Sequence, residues 1–103
     1  MLNAAFDFSG TLKLLWCLVQ QVDEALAEAG DGFNYEGFND MASQFNTLIS
    51  TMAIEQKHLG RIVNVVDGNT WVVPATHLGA DGVHWATAGA TEMGNRVYKA
   101  LSA

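Results

Sequence analysis

The chain has 103 residues, half of them apolar, and carries a formal net charge of −6 at pH 7. This length allows one domain at most, and the apolar content is too high for a disordered tail. The sequence contains 11 Asp and Glu but only 5 Lys and Arg, and the basic residues form no run. These numbers argue against nucleic-acid binding through phosphate neutralisation and against adhesion to an anionic membrane.

The single cysteine, Cys17, excludes an internal disulfide and a multi-thiolate metal site. It lies in the apolar run Leu14–Val19, so we expect a buried small side chain. That run is too short to span a bilayer. No charged region precedes an apolar run at the N-terminus, so no secretory signal peptide is predicted and the compartment stays open.

The first third of the chain predicts a short strand followed by a helix. Residues Leu2–Phe8 are mostly apolar and extended in character, and Ser9 or Thr11 is a candidate helix N-cap. A helix is predicted over Leu12–Ala29, and Gly30–Gly32 ends it because glycine adopts the left-handed conformation freely. The residues that give the helical spacing are Leu12, Leu15, Trp16, Val19, Val22, Leu26 and Ala29.

The middle of the chain predicts a loop over Phe33–Phe38 and a second helix over Asn39–Lys57, which Gly60 stops. The β-branched run Ile62–Val66 lacks strict alternation, which is typical of a parallel strand covered on both faces. The helix is expected to pack in the core through an apolar stripe. Its members are Phe38, Met41, Ala42, Phe45, Leu48, Ile49 and Met52.

The last third predicts a turn at Asp67–Asn69, a short extended piece at Trp71–Val73 that Pro74 interrupts, and a loop over Ala75–Thr87. A final helix is predicted over Thr87–Ser102. Its expected buried stripe consists of Ala90, Met93, Val97 and Leu101. The order of elements indicates an α/β layered fold, rich in helix and with a short parallel sheet.

The segment with most chemical content holds Asp81 and His84, three residues apart, just before the final helix. A carboxylate that accepts from one imidazole nitrogen makes the other nitrogen a directed base. This is the orienting half of a Ser-His-Asp catalytic system. The simpler interpretation is that Asp81-Gly82 only forms a turn.

This segment, followed by Gly89 and a helix, resembles the C-terminal Asp-x-x-His block of the SGNH (GDSL-type) hydrolases. The resemblance covers roughly residues 38–101, including the second helix and the strand at 62–66. It implies part of a three-layer SGNH or flavodoxin-like α/β fold, and hydrolysis or transfer of an ester-linked acyl group. It also implies that His84 is the general base and Asp81 its orienting acid.

Three departures from the family pattern leave the nucleophile open. The Gly-Asp-Ser motif that carries the family's serine is absent. Gly37–Asp40 spells Gly-x-Asn-Asp, but it follows a loop and is interpreted as coincidence. Ala86 stands where the family usually has a small polar residue. Ser9 is the candidate nucleophile because it precedes a predicted helix N-terminus, although it is also a simple helix cap.

Two other chemistries remain as alternatives. The segment from Asp7 to Thr11 is similar to the first motif of haloacid-dehalogenase-like phosphatases, in which Asp7 would accept the phosphoryl group. His77 is a conceivable metal ligand together with Asp81 and His84. Trp85 is either a wall of an acyl pocket or part of the core.

The sequence therefore predicts a single-domain ester hydrolase that acts on a small acyl-ester substrate through His84, Asp81 and Ser9, without a cofactor or metal. About half of the family's sheet has no counterpart here. We therefore expect exposed apolar helix faces and self-association into a homo-oligomer. The alternative is a catalytically silent fragment that serves as a structural oligomer.

Overall fold

The computed structural model describes residues 13–102. The predicted strand over 2–8, and the candidates Asp7, Ser9 and Thr11, lie outside this range. Within it, two strands and four helices follow one another along the chain. They are β1 (Lys13–Cys17), α1 (Glu24–Asp31), α2 (Phe38–His58), β2 (Ile62–Val66), α3 (Pro74–His77) and α4 (Thr87–Ser102).

The sheet of the described region consists of β1 and β2, paired in parallel, with a register that runs from Lys13 opposite Ile62 to Cys17 opposite Val66. The Leu18 N–H extends the ladder by donating to the Val66 carbonyl at 2.9 Å. Parallel pairing needs a long crossover, which α1 and α2 supply. The predicted strand at 62–66, its parallel pairing and the α/β class are confirmed.

Helices cover both faces of this small sheet. On one face, Ala53 of α2 packs against the fully buried Val63. Successive strand side chains point to opposite faces, and Asn64 accordingly reaches the other helix, donating to the Ala100 carbonyl of α4 at 3.2 Å. The order of layers is therefore α2, sheet, α4.

The predicted helix over 12–29 is wrong in its first half. Residues 13–17 form β1, residues 18–23 form a loop, and only Glu24–Asp31 is helical. Asp23 is the N-cap and accepts from the Leu26 N–H at 3.1 Å. The helical spacing does not decide the structure here, because the same apolar residues are also partly buried when this segment forms a strand paired with β2. The predicted end is right: Gly32 caps α1 in the left-handed conformation at φ 80°.

Helix α2 matches its prediction to within a residue at each end, but its apolar stripe does not lie in the core. The side chains buried along α2 are the small or polar Ala42, Asn46 and Ala53. Phe38 and Ile49 of the predicted stripe are half-buried, but its other large apolar residues are exposed, since small residues let the helix approach the sheet. Met41, Phe45, Leu48 and Met52 are 67%, 55%, 60% and 49% exposed.

Helix α4 has the predicted bounds, and its stripe is again less buried than expected. Met93 and Val97 are half-buried, whereas Ala90 and Leu101 are exposed. The fully buried position is Gly89, in the first turn. The described helices therefore expose apolar faces, as predicted from the short sheet.

Two further differences concern Pro74 and Cys17. Pro74 does not only interrupt an extended piece but begins α3, where a fixed φ suits the first helical turn. Cys17 is exposed and not buried, because it ends a strand at the edge of the described sheet. No helix in this part of the chain combines the length and apolar character that crossing a bilayer requires.

Candidate active site

Asp81 and His84 lie on a tight turn closed by backbone hydrogen bonds. Gly79 N–H donates to the His84 carbonyl at 2.7 Å, and Gly82 N–H donates to the Gly79 carbonyl at 3.0 Å. An antiparallel bridge between Leu78 and Trp85 frames the turn. This part of the predicted loop is therefore ordered by its own backbone, and both candidate side chains project from it.

The two side chains meet directly. The His84 Nδ1 contacts Asp81 Oδ2, while Asp81 Oδ1 accepts from the N–H groups of Val83 at 2.9 Å and His84 at 3.0 Å. Both carboxylate oxygens are thus engaged, which fixes the plane of the carboxylate. The His84 hydrogen bond, followed by the two backbone N–H groups, lowers the pKa of Asp81 to about 2. Asp81 is therefore an anion at neutral pH and holds a proton on Nδ1.

The opposite nitrogen of His84 faces solvent. The His84 side chain is 85% exposed, and its Nε2 makes no hydrogen bond to any residue between 13 and 102. With the proton held on Nδ1, the Nε2 lone pair is available. This arrangement suits a general base that acts on a group arriving from outside the turn.

A cavity of about 390 Å³ adjoins the pair. Its other walls come from α1 and from the segment that follows it, including Ala27, Asp31 and Tyr35. The Tyr35 hydroxyl donates to Asp31 Oδ2 at 2.5 Å, and this hydrogen bond is the main reason that the pKa of Tyr35 is raised. The volume lies within the usual range of small-molecule sites.

Gly82 joins the turn to α1. Its φ is +73°, in the left-handed region, and its carbonyl accepts from the Asp23 N–H at 2.9 Å. A Cβ on Gly82 would lie 2.9 Å from the Cβ atoms of both Asp23 and Leu26. Glycine is therefore required by conformation and by space.

Three asparagines hold the 18–23 loop, and sequence reasoning missed all of them. Asn46 accepts from the Val19 N–H at 2.7 Å and donates to the Val19 carbonyl at 2.9 Å. Asn69 donates to the same carbonyl at 2.8 Å. Asn39 binds Val22 in the same way: its Oδ1 accepts from the Val22 N–H and its Nδ2 donates to the Val22 carbonyl, both at 2.7 Å. These amides replace the backbone partners that a loop lacks.

The engaged amide of Asn39 explains the Gly-x-Asn-Asp sequence at 37–40. Its side-chain amide makes hydrogen bonds to the N–H and the carbonyl of Val22, and its backbone N–H donates to Glu24 at 2.9 Å. The residue fastens the start of α2 to the loop and to α1. This role fits the interpretation of the motif as coincidence.

None of the serines in the described range lines the cavity beside His84. Ser43 and Ser50 line a separate cavity of about 330 Å³ along α2, with Asn46 and Asn69. The Ser102 hydroxyl donates to the Tyr98 carbonyl. Ser9, the predicted nucleophile, lies outside the described residues, as does Asp7.

His77 and Trp85 have structural partners. His77 Nδ1 accepts from the Val73 N–H at 2.9 Å, and its ring meets Trp71 edge-on at 4.9 Å. Trp85 stacks on Trp71 at 5.3 Å, which corresponds to the core alternative. Gly89 allows this packing, because a Cβ there would lie 2.2 Å from the His77 carbonyl oxygen. Over residues 13–102, no three His, Cys, Asp or Glu side chains are grouped to hold a metal ion.

Comparison with known proteins finds no matching family model, no similar curated protein and no similar solved structure.

Proposed function

We propose that the chain is an ester hydrolase or acyl-ester transferase in which Asp81 orients His84 as the general base. The observation that carries the proposal is the contact of His84 Nδ1 with a doubly anchored carboxylate, together with an exposed Nε2 that lies beside a cavity and has no partner among residues 13–102. The resemblance of the Asp81–Gly89 block to SGNH hydrolases supports the same chemistry, and we propose that the chain is related to them. Helices on both sides of a parallel sheet are compatible with that fold.

The proposed reaction begins when His84 Nε2 takes the proton of a serine hydroxyl. The serine oxygen attacks the acyl carbonyl, and Asp81 stabilises the imidazolium that forms. When the tetrahedral intermediate collapses, Nε2 gives its proton to the leaving alcohol. Water or an acceptor alcohol then repeats the sequence on the acyl-enzyme. Ser9 is the serine that we assign to the attack.

The cavity indicates a small substrate. At about 390 Å³ it accommodates a short acyl chain or a small alcohol group. Ala27 and Val83 supply apolar wall, while Asp31 and Asp81 supply negative charge. We therefore expect turnover of short-chain esters that are neutral or cationic, and poor turnover of anionic ones.

Hydrolysis of p-nitrophenyl acetate and butyrate by four proteins tests the proposal. His84→Ala should lower kcat/KM by about 10³-fold, because it removes the general base. Ser9→Ala should reduce turnover to background. Asp81→Asn should lower turnover, because the carboxylate that holds a proton on His84 Nδ1 is lost. His58→Ala is the matched control, since His58 is an exposed histidine at the end of α2.

Active-site labelling identifies the nucleophile independently. A fluorophosphonate probe should modify Ser9 in the wild-type protein, as detected by peptide mass spectrometry, and should not modify His84→Ala. Wild-type turnover in His84→Ala would contradict the proposal. So would Mg²⁺-dependent hydrolysis of p-nitrophenyl phosphate that is lost in Asp7→Ala, which would support the phosphatase instead.

A structural oligomer is the second candidate function. The observation that favours it is the exposed apolar surface of α2, which we define as the α2 face: Met41, Phe45, Leu48 and Met52. Apolar patches of this kind seldom stay uncovered. Sedimentation velocity decides between the candidates when combined with the ester assay. An oligomer without ester turnover supports the silent structural protein, and an oligomer with turnover supports the enzyme.

A further inference from the structure

A cavity of about 480 Å³ lies along β2, on the side of the molecule where α2 ends and α4 passes. Lys57, Arg96 and Lys99 line it, and these are three of the chain's five basic residues. Arg96 and Lys99 are one turn apart on α4, whereas Lys57 lies at the end of α2, about 40 positions earlier. In a chain of net charge −6, the fold thus gathers most of the positive charge at one place.

The two lysines of this cavity are not neutralised. In the stretch from 13 to 102, neither the Lys57 nor the Lys99 ammonium group has a carboxylate within 4 Å or a hydrogen-bond partner. Both residues are exposed, so their ammonium groups reach a ligand without a large desolvation cost. Each offers three hydrogen-bond donors.

Two contacts hold Arg96 in place, and its Nη groups remain available as hydrogen-bond donors. Its Nε donates to Glu92 Oε1 at 2.9 Å, and its guanidinium carbon lies 5.2 Å from the centre of the Trp71 ring. These two contacts fix the guanidinium plane, while neither Nη group donates to a residue of the described region. A fixed fork with free donors is well suited to an oxyanion.

The one carboxylate in the lining, Asp67, is occupied by its own turn. Its Oδ1 accepts from the N–H groups of Asn69 at 2.8 Å and Thr70 at 2.9 Å, and its Oδ2 accepts from the Thr70 hydroxyl. Asp67 therefore offsets only part of the positive charge. Counting Glu92, which pairs with Arg96, three cations face two engaged anions, which leaves an excess of positive charge at the cavity.

We infer that this cavity binds a small molecule that carries a phosphate group. A phosphate monoester has a charge of about −1.5 to −2 at pH 7 and three strong acceptor oxygens, which matches three cationic donors. A monocarboxylate supplies only one charge. The cavity volume is also within the range of small-molecule sites. The site shares no lining residue with the cavity beside His84, so the inference does not rest on the proposed ester chemistry.

Isothermal titration with inorganic phosphate in low-salt buffer tests the inference on the full chain. We expect phosphate to bind, and Lys57→Gln and Lys99→Gln each to weaken it about tenfold, the loss of one charge-assisted hydrogen bond. Arg61→Gln is the control of equal charge change, because Arg61 lies outside the lining and donates to Gln56 at 2.6 Å. It should leave the dissociation constant unchanged. Acetate should bind more weakly than phosphate.

Amide chemical-shift mapping adds a readout that does not depend on any variant. Phosphate should shift the resonances of residues 64–67 and 96–100. Absence of phosphate binding would overturn the inference, as would shifts confined to other regions. An equal loss in Arg61→Gln would mean that net charge alone is responsible, and equal binding of acetate would mean that the ligand class is wrong.

Discussion

Gly82 and Asp23 share a backbone hydrogen bond, with the Asp23 N–H donating to the Gly82 carbonyl at 2.9 Å. Asp23 also caps α1 by accepting from the Leu26 N–H. One glycine therefore links the turn that carries His84 to the start of a helix. We therefore expect the orientation of the proposed base to depend on this hydrogen bond.

Gly82→Ala tests that dependence. The new Cβ would have to overlap Asp23 and Leu26 at 2.9 Å while the backbone keeps φ at +73°. We expect a loss of about 1–3 kcal/mol in the free energy of unfolding, measured by urea denaturation. Gly30→Ala is the control, since nothing lies within 4 Å of a Cβ there. Equal stability of the two variants would contradict the argument.

The Asp81–His84 contact has a defined pH dependence. The folded-state pKa of Asp81 is about 2, below its ordinary value of 3.8, so protonation favours the unfolded chain. The stabilisation is therefore complete above about pH 4 and disappears as the pH falls through 2. We expect the stability difference between wild type and Asp81→Asn to be present at pH 5 and to decrease as the pH falls toward 2. The Asp81 Cγ resonance should titrate in the same range, and a midpoint near 4 would contradict this.

Asn46→Ala tests the anchoring of the 18–23 loop. Asn46 is 7% exposed, and the change leaves the Val19 N–H without its acceptor, while the Val19 carbonyl keeps Asn69. Val19 is half-buried, so an unsatisfied donor there costs on the order of 1 kcal/mol, which urea denaturation would detect. Gln44→Ala, at an exposed position of the same helix, should change stability by less than about 0.5 kcal/mol. Similar losses in both variants would rule out a specific role for Asn46.

How far the sequence predicts this fold depends on the range of the interactions involved. Helices α2 and α4 follow from spacing within one segment, and the glycines at 32 and 60 end their helices as expected. Strand β1 does not follow, because Leu15, Trp16 and Val19 fit helical spacing equally well. Its pairing with Ile62–Val66 decides the outcome, and a periodicity analysis of one segment contains no information on a partner.

The candidate site divides in the same way. The pair Asp81 and His84 is predictable because the two residues are three positions apart on one turn. The supports of the turn were not, since Gln20 donates to the Val83 carbonyl across 63 positions and Asn69 reaches Val19 across 50. Asparagine and glutamine are common on surfaces and in turns, so nothing in the sequence distinguishes these bridging amides.

Cys17 should react with a maleimide in the native protein at low concentration. It is exposed and lines a cavity with Phe45 and Met52 of the α2 face. Intact-mass spectrometry should show complete modification without denaturant. Modification that requires urea would instead support the buried position expected from the sequence.

Phe45→Glu tests self-association through the α2 face. Phe45 is 55% exposed, so a charge there opposes an apolar interface without disturbing the core. We expect wild type to sediment as an oligomer and Phe45→Glu as a monomer. Gln44→Glu adds the same charge at the neighbouring exposed position and should remain oligomeric. A monomeric wild type at all concentrations, or an oligomeric Phe45→Glu, would exclude this face.

The parallel pairing of β1 with β2 has a kinetic consequence. The two strands meet only after α1 and α2 have been traversed, so closing the sheet costs the entropy of a long loop. The contact of Ala53 with Val63 spans a short stretch of chain and forms with little such cost. We expect α2 and β2 to associate early during folding and β1 to dock late, bringing with it the loop that Asn46 and Asn69 secure. The geometry around His84 would then be the last part of the molecule to become ordered.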